Sequence, residues 1–92
     1  MAKQAAAMKK VAFELVAPTA NSVALAGDFT GWDARPINLT KQKGGAWKAT
    51  VRLKPGTYEY RFIVDGQWTD DPQCATRVPN VYGSENCVRA IS

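Results

Sequence analysis

Few side chains in this sequence have strong chemistry to offer. The candidates are three tryptophans, two cysteines, a scatter of amides and arginines, and eight acidic residues. Histidine is absent, which removes the commonest general base and the commonest metal ligand. Cys74 and Cys87 are too few for a four-cysteine metal site or a disulfide framework, and free thiols are the expectation. The carboxylates offer no convincing acid–base pair. Asp65 belongs to a turn, Asp70–Asp71 precede Pro72 in a loop where solvated carboxylates are expected, and Asp28 and Asp33 flank Trp32. No catalytic residue, metal or cofactor is expected. What remains is recognition: indole faces, amides and a guanidinium, which bind without reacting.

The elements that position these groups follow a period of two, the signature of strands. "VAFELVA" sets Val11, Phe13 and Leu15 against Ala12, Glu14 and Val16, and Pro18 ends it. "SVALAG" is a short apolar strand. "GDFTGWD" reads as a loop carrying Trp32, and "INLTK" as a brief edge strand before the Gly44–Gly45 turn. "WKATVRL" places Trp47, Ala49, Val51 and Leu53 on one face, which makes Trp47 a core residue. "TYEYRFIV" places Tyr58, Tyr60, Phe62 and Val64 inward, with Glu59, Arg61 and Ile63 opposite. "DDPQCATRVPNVYGSEN" reads as a long polar loop, and "NCVRAI" as the last strand. Closely spaced strands with no helical period predict an all-β antiparallel sandwich.

Asp65–Gly66 is a strong two-residue hairpin signal, because a type I′ turn needs positive φ at both central residues. That turn sets Ile63 opposite Trp68, and opposed residues share a face. Trp68 therefore points outward. Periodicity leaves Trp32 open: it either plugs one end of the sandwich or is displayed by its loop. An indole left in water forgoes roughly 1.5–3 kcal/mol of burial, so an outward one usually has a partner. A sugar suits it, with C–H groups to stack on the indole and hydroxyls for Arg61, Asn80 and Asn86 to bond.

Three stretches in order make a specific pattern: "VALAGDFTGWD", then "GGAWKATVRLKPGTYEYRFIVDGQWTDDP", then "NVYGSENCV". Together they resemble a family 48 carbohydrate-binding module. Such modules are the glycogen-binding domains of AMP-activated protein kinase β-subunits and the N-terminal modules of glycogen branching and debranching enzymes. The resemblance runs from about Val11 to Ile91. It implies an immunoglobulin-like sandwich of the early-set type that binds α-1,4-glucan, either glycogen or starch, with Trp32 and Trp68 stacking on the sugar. It further implies contacts from Arg61, where the family usually has lysine, and from Tyr82, Ser84 and Asn86 in one loop.

Composition fits this reading. Ninety-two residues with 46% hydrophobic and 22% charged describe one ordinary globular domain. No apolar run approaches the ~20 residues that cross a bilayer, so no membrane partner is expected. The net charge of +4 is scattered, and nucleic acid is not expected either. "MAKQAAAMKK" lacks an apolar stretch of signal-peptide length, which leads us to expect a cytoplasmic protein. The expected organisation is a disordered tail over 1–9 and a glucan-binding sandwich over 10–92. The rival reading is a structural or protein-interaction module attached to a family 13 glycoside hydrolase or another glycogen-metabolising enzyme, with little sugar binding.

Overall fold

A computed structural model describes residues 8–92 of the chain. Its strands are β1 (Lys9–Val16), β2 (Val23–Gly27), β3 (Ile37–Asn38), β4 (Thr40–Lys41), β5 (Ala46–Leu53), β6 (Gly56–Val64), β7 (Gln67–Thr69), β8 (Arg77–Pro79) and β9 (Glu85–Ile91). Among the described residues the helical content is one 3₁₀ turn, Trp32–Ala34. The period-two runs become strands because alternate side chains enter the core: Val11, Phe13 and Leu15 from β1, Trp47 and Leu53 from β5, Tyr60 and Phe62 from β6.

The strands form two antiparallel sheets, as the alternation predicts. One has the order β1-β5-β4 and the other β3-β2-β6-β9-β8, with β7 added to β6. β6 is the central strand of the larger sheet. Along one edge it pairs with β2; along the other it pairs first with β9 and then with β7. The sheets meet through aromatic side chains. Phe13 of β1 meets Tyr60 of β6 edge-on with ring centroids 5.0 Å apart, and stacks on Phe29 at 5.6 Å. Trp47 is buried as expected, and its indole N–H donates to the Ala17 carbonyl at 2.9 Å.

Three boundaries differ from the sequence reading. β1 opens at Lys9, because Lys9 and Lys10 pair with Leu53 and Arg52; residues 1–7 of the expected tail lie outside the described residues. "INLTK" is two short strands rather than one. Ile37 pairs with Leu25 of the larger sheet, Thr40 pairs with Lys48 of the smaller, and the buried Leu39 between them fills the core as the chain changes sheets. The long polar loop contains β8, whose Val78 lies opposite Asn86.

Candidate functional site

The hairpin turn is built as expected, with φ of 49° at Asp65 and 83° at Gly66. Ile63 lies opposite Trp68, and Trp68 is 44% exposed on the outer face of the larger sheet. The Asp65 carboxylate also accepts the N–H groups of Asn21 and Ser22 at 2.8 and 2.9 Å, which ties the hairpin to the segment before β2. Tyr60 pairs with Cys87, so one step along the strands Arg61 and Asn86 come to the same outer face.

Trp32 arrives from a different element. β2 ends on Gly27, where a side chain is excluded: a Cβ would sit 2.6 Å from the Glu59 carbonyl oxygen. Beyond it, the buried Thr30 hydroxyl accepts the Gly27 N–H at 3.0 Å and donates to the Trp32 carbonyl at 2.8 Å. Those bonds hold Trp32 at φ 61°, a left-handed conformation rare outside glycine and costing about 1–3 kcal/mol. The result is that the Trp32 and Trp68 rings lie side by side, centroids 6.3 Å apart and tilted by 52°. The half-buried Trp32 is displayed by its loop.

The floor between these elements is polar. Arg61 is only 14% exposed at its side chain, and its guanidinium donates to Asp70 at 2.8 Å. Asp70 also holds Arg77 at 3.1 Å. Asp71 is buried, accepting the Tyr60 hydroxyl at 2.6 Å and the Gln73 N–H at 2.9 Å. The solvated carboxylates expected at Asp70–Asp71 are therefore framework groups. The chain turns inward at Asp71, and each buried donor needs an acceptor. Burial, reinforced by Asp71, pushes the Tyr60 phenol well above its ordinary range and keeps it neutral.

Amides complete the floor. Asn86 donates to Glu59 at 3.1 Å and accepts from Asn80 at 3.0 Å. The Asn80 side-chain oxygen in turn accepts the N–H groups of Tyr82 and Ser84 at 2.9 and 3.2 Å. This turn thrusts Val81 and Tyr82 into solvent, 91% and 90% exposed. An open groove of about 980 Å³ results, lined by Trp32, Arg61, Trp68, Tyr82 and Asn86 of the six expected contacts. Ser84 is not among the lining residues; it closes the turn through its backbone, its carbonyl accepting the Asn80 N–H at 3.0 Å. Glu59, Asp28 and Val81 line the groove without having been singled out. Glu59 lies two residues before Arg61, so the same alternation already placed it on this face.

Comparison with known proteins gives a consistent result. The family model described as the glycogen recognition site of AMP-activated protein kinase matches residues 11–92. Protein PTST homolog 2, chloroplastic, of Arabidopsis thaliana is 43% identical over 54 residues, covering 59% of this chain and 10% of that protein. The 5'-AMP-activated protein kinase subunit beta-1 of Sus scrofa is 38% identical over 50 residues, covering 54% of this chain and 38% of that sequence. Among solved structures, apo pullulanase from Paenibacillus barengoltzii superposes with a TM-score of 0.54 at 26% identity, over 92% of this chain and 14% of that one. The chain spans about a tenth of the length of the first curated relatives it matches.

Proposed function

Because the chain belongs to the glycogen-recognition family of AMP-activated protein kinase, we propose that it is a non-catalytic module that binds α-1,4-glucan by stacking glucose rings on Trp32 and Trp68. The observation that carries this reading is the adjacent, tilted indole pair at 6.3 Å on an open outer face. Two tilted rings suit a curved chain, because successive sugars of an α-1,4-glucan do not share a plane. Arg61, held by Asp70 through one guanidinium nitrogen, lines the groove as a charged donor for sugar hydroxyls. Asn86 and Glu59 offer a donor and an acceptor beside it, and Tyr82 closes one side.

Among the described residues, the carboxylates that line the groove are Asp28 and Glu59, and both have partners within the fold. Asp28 accepts the Glu59 N–H at 2.9 Å, and Glu59 accepts the Asn86 amide. These bonds support a framework role for both carboxylates, whereas glycoside hydrolysis needs a pair facing each other across the sugar. Binding alone is the expected activity.

Titration with maltoheptaose or β-cyclodextrin, followed by tryptophan fluorescence, tests the proposal. Binding in the micromolar to millimolar range is expected, about −8 to −4 kcal/mol. Cellooligosaccharides, with their flat ribbon, should bind much more weakly. Equal binding of both series, or none at millimolar ligand, refutes the reading. Glucan affinity should be nearly salt-insensitive, whereas binding to nucleic acid falls steeply with salt. The match to a segment of a pullulanase favours a second reading, a module that packs on a catalytic domain. Failure to bind any α-glucan would select it.

A further inference from the structure

The two cysteines lie on the far side of Asp71 from the groove and take no part in the glucan reading. Both are free thiols, yet they are not independent of one another. Cys87 is fully buried beside Tyr60 in the core, and Cys74 is half-buried in the loop before β8. The Asp71 carbonyl gathers both: it accepts the Cys74 N–H at 3.2 Å and the Cys87 thiol at 3.8 Å. The two cysteines thus meet at a single carbonyl oxygen. Cys74 lines a second cavity, about 390 Å³, whose wall includes Tyr60, Gln73, Thr76 and Arg89. A small molecule in that cavity reaches Cys74 and not Cys87.

We propose that Cys74 and Cys87 are a redox-active pair in which a small-molecule disulfide oxidises Cys74 first and the bond is then passed inward to Cys87. In the first step Cys74, as thiolate, attacks one sulfur of the small disulfide. That bond breaks, one small thiol leaves with a proton, and a mixed disulfide remains on Cys74. In the second step Cys87 loses its proton and attacks the Cys74 sulfur, expelling the second small thiol. Two protein thiols and one disulfide become one protein disulfide and two thiols. Cys74 sits in a loop outside the sheet ladder, so it can adjust to the ~4.4–6.8 Å Cα separation that a disulfide requires.

Burial pushes the Cys87 thiol up to about 12, so the second step waits on deprotonation and accelerates with pH. The bond would join β9 to the segment between β7 and β8, which begins with Asp70 and leads into Arg77, the groups that frame Arg61. The glucan site would then have a covalent brace under oxidising conditions.

The test needs no sugar, so its outcome is independent of the glucan reading. The folded protein is incubated with oxidised glutathione over a range of pH, then analysed by intact mass and peptide mapping. The expected product is a single chain lighter by two hydrogen atoms, with a Cys74–Cys87 peptide, restored by dithiothreitol. It should form faster as pH rises from about 7 to about 9. Cys87→Ala should stop at the glutathione adduct on Cys74, and Cys74→Ser should leave Cys87 unmodified. A persistent glutathione adduct on wild-type Cys74 at the higher pH overturns the proposal. So does a disulfide between two chains, or two unmodified thiols.

Discussion

Replacing Trp68 by alanine separates binding from folding. An aromatic side chain buries ~150–250 Å², and 44% of Trp68 is still exposed, leaving roughly 70–110 Å² for a ligand to cover. At ~25 cal/mol per Å² that area contributes about 1.7–2.8 kcal/mol, so Trp68→Ala should weaken maltoheptaose binding about 20- to 100-fold. The fold keeps its interior, because the ring lies on the outer face and its pairing with the Trp32 ring at 6.3 Å contributes about 0.5–1.5 kcal/mol, so the thermal midpoint should fall by less than when a fully buried ring is removed. Trp47→Ala is the control. It removes a buried ring together with its bond to the Ala17 carbonyl, at about 3–5 kcal/mol, and should lower the midpoint by more than ~12 °C. Isothermal titration and calorimetric melts of the two variants decide the matter. If Trp68→Ala destabilises as severely as Trp47→Ala, the assignment of outer and inner faces is wrong. If it alters neither quantity, Trp68 has no part in binding.

Thr30→Val strands the buried Gly27 N–H and frees the Trp32 carbonyl, so it should cost about 1–3 kcal/mol in stability. It should also weaken glucan binding without touching the ligand; unchanged affinity would show that Trp32 needs no such brace. Gly27→Ala drives a methyl to within 2.6 Å of the Glu59 carbonyl, and a loss of about 1–3 kcal/mol is expected in denaturant melts. A neutral result would mean that β2 and β6 can separate there. Cys87 lies higher in the folded chain, at about 12, than its ordinary 9.0, and Tyr60 is raised as well. A raised group stabilises fully below its unfolded value, so stability should hold up to about pH 9 and fall as pH climbs toward 12. Cys87→Ala should shallow that fall, and identical alkaline slopes would contradict the assignment.

Most of the architecture could be read from alternation because each long strand has one buried face. Trp68 was placeable because a two-residue turn fixes register without any knowledge of the rest of the fold. Trp32 was not, since its orientation depends on a positive φ stabilised by Thr30 and on a glycine whose constraint comes from a strand far away in sequence. Asp70 and Asp71 look like solvated loop residues until Arg61, Arg77 and Tyr60 are brought to them in space. The change of sheet at Leu39 was hidden for a related reason: "INLTK" keeps its alternation while its hydrogen-bonding partners switch.

β6 carries the core and the groove on one backbone. Tyr58, Tyr60 and Phe62 face inward, while Glu59, Arg61 and Ile63 face outward between them. This interleaving makes the strand tolerant of substitution and intolerant of a change in length. Exchanging Arg61 or Glu59 reshapes the groove and leaves the aromatic core on the opposite face alone. A single residue inserted or deleted between Tyr58 and Phe62 would turn one half of the strand over, sending a charge into the aromatic core and a phenyl ring out into the groove. Diversification of this surface is thereby confined to two routes: point changes on the sheet, and altered lengths in the Trp32 and Tyr82 loops, where no such phase has to be kept.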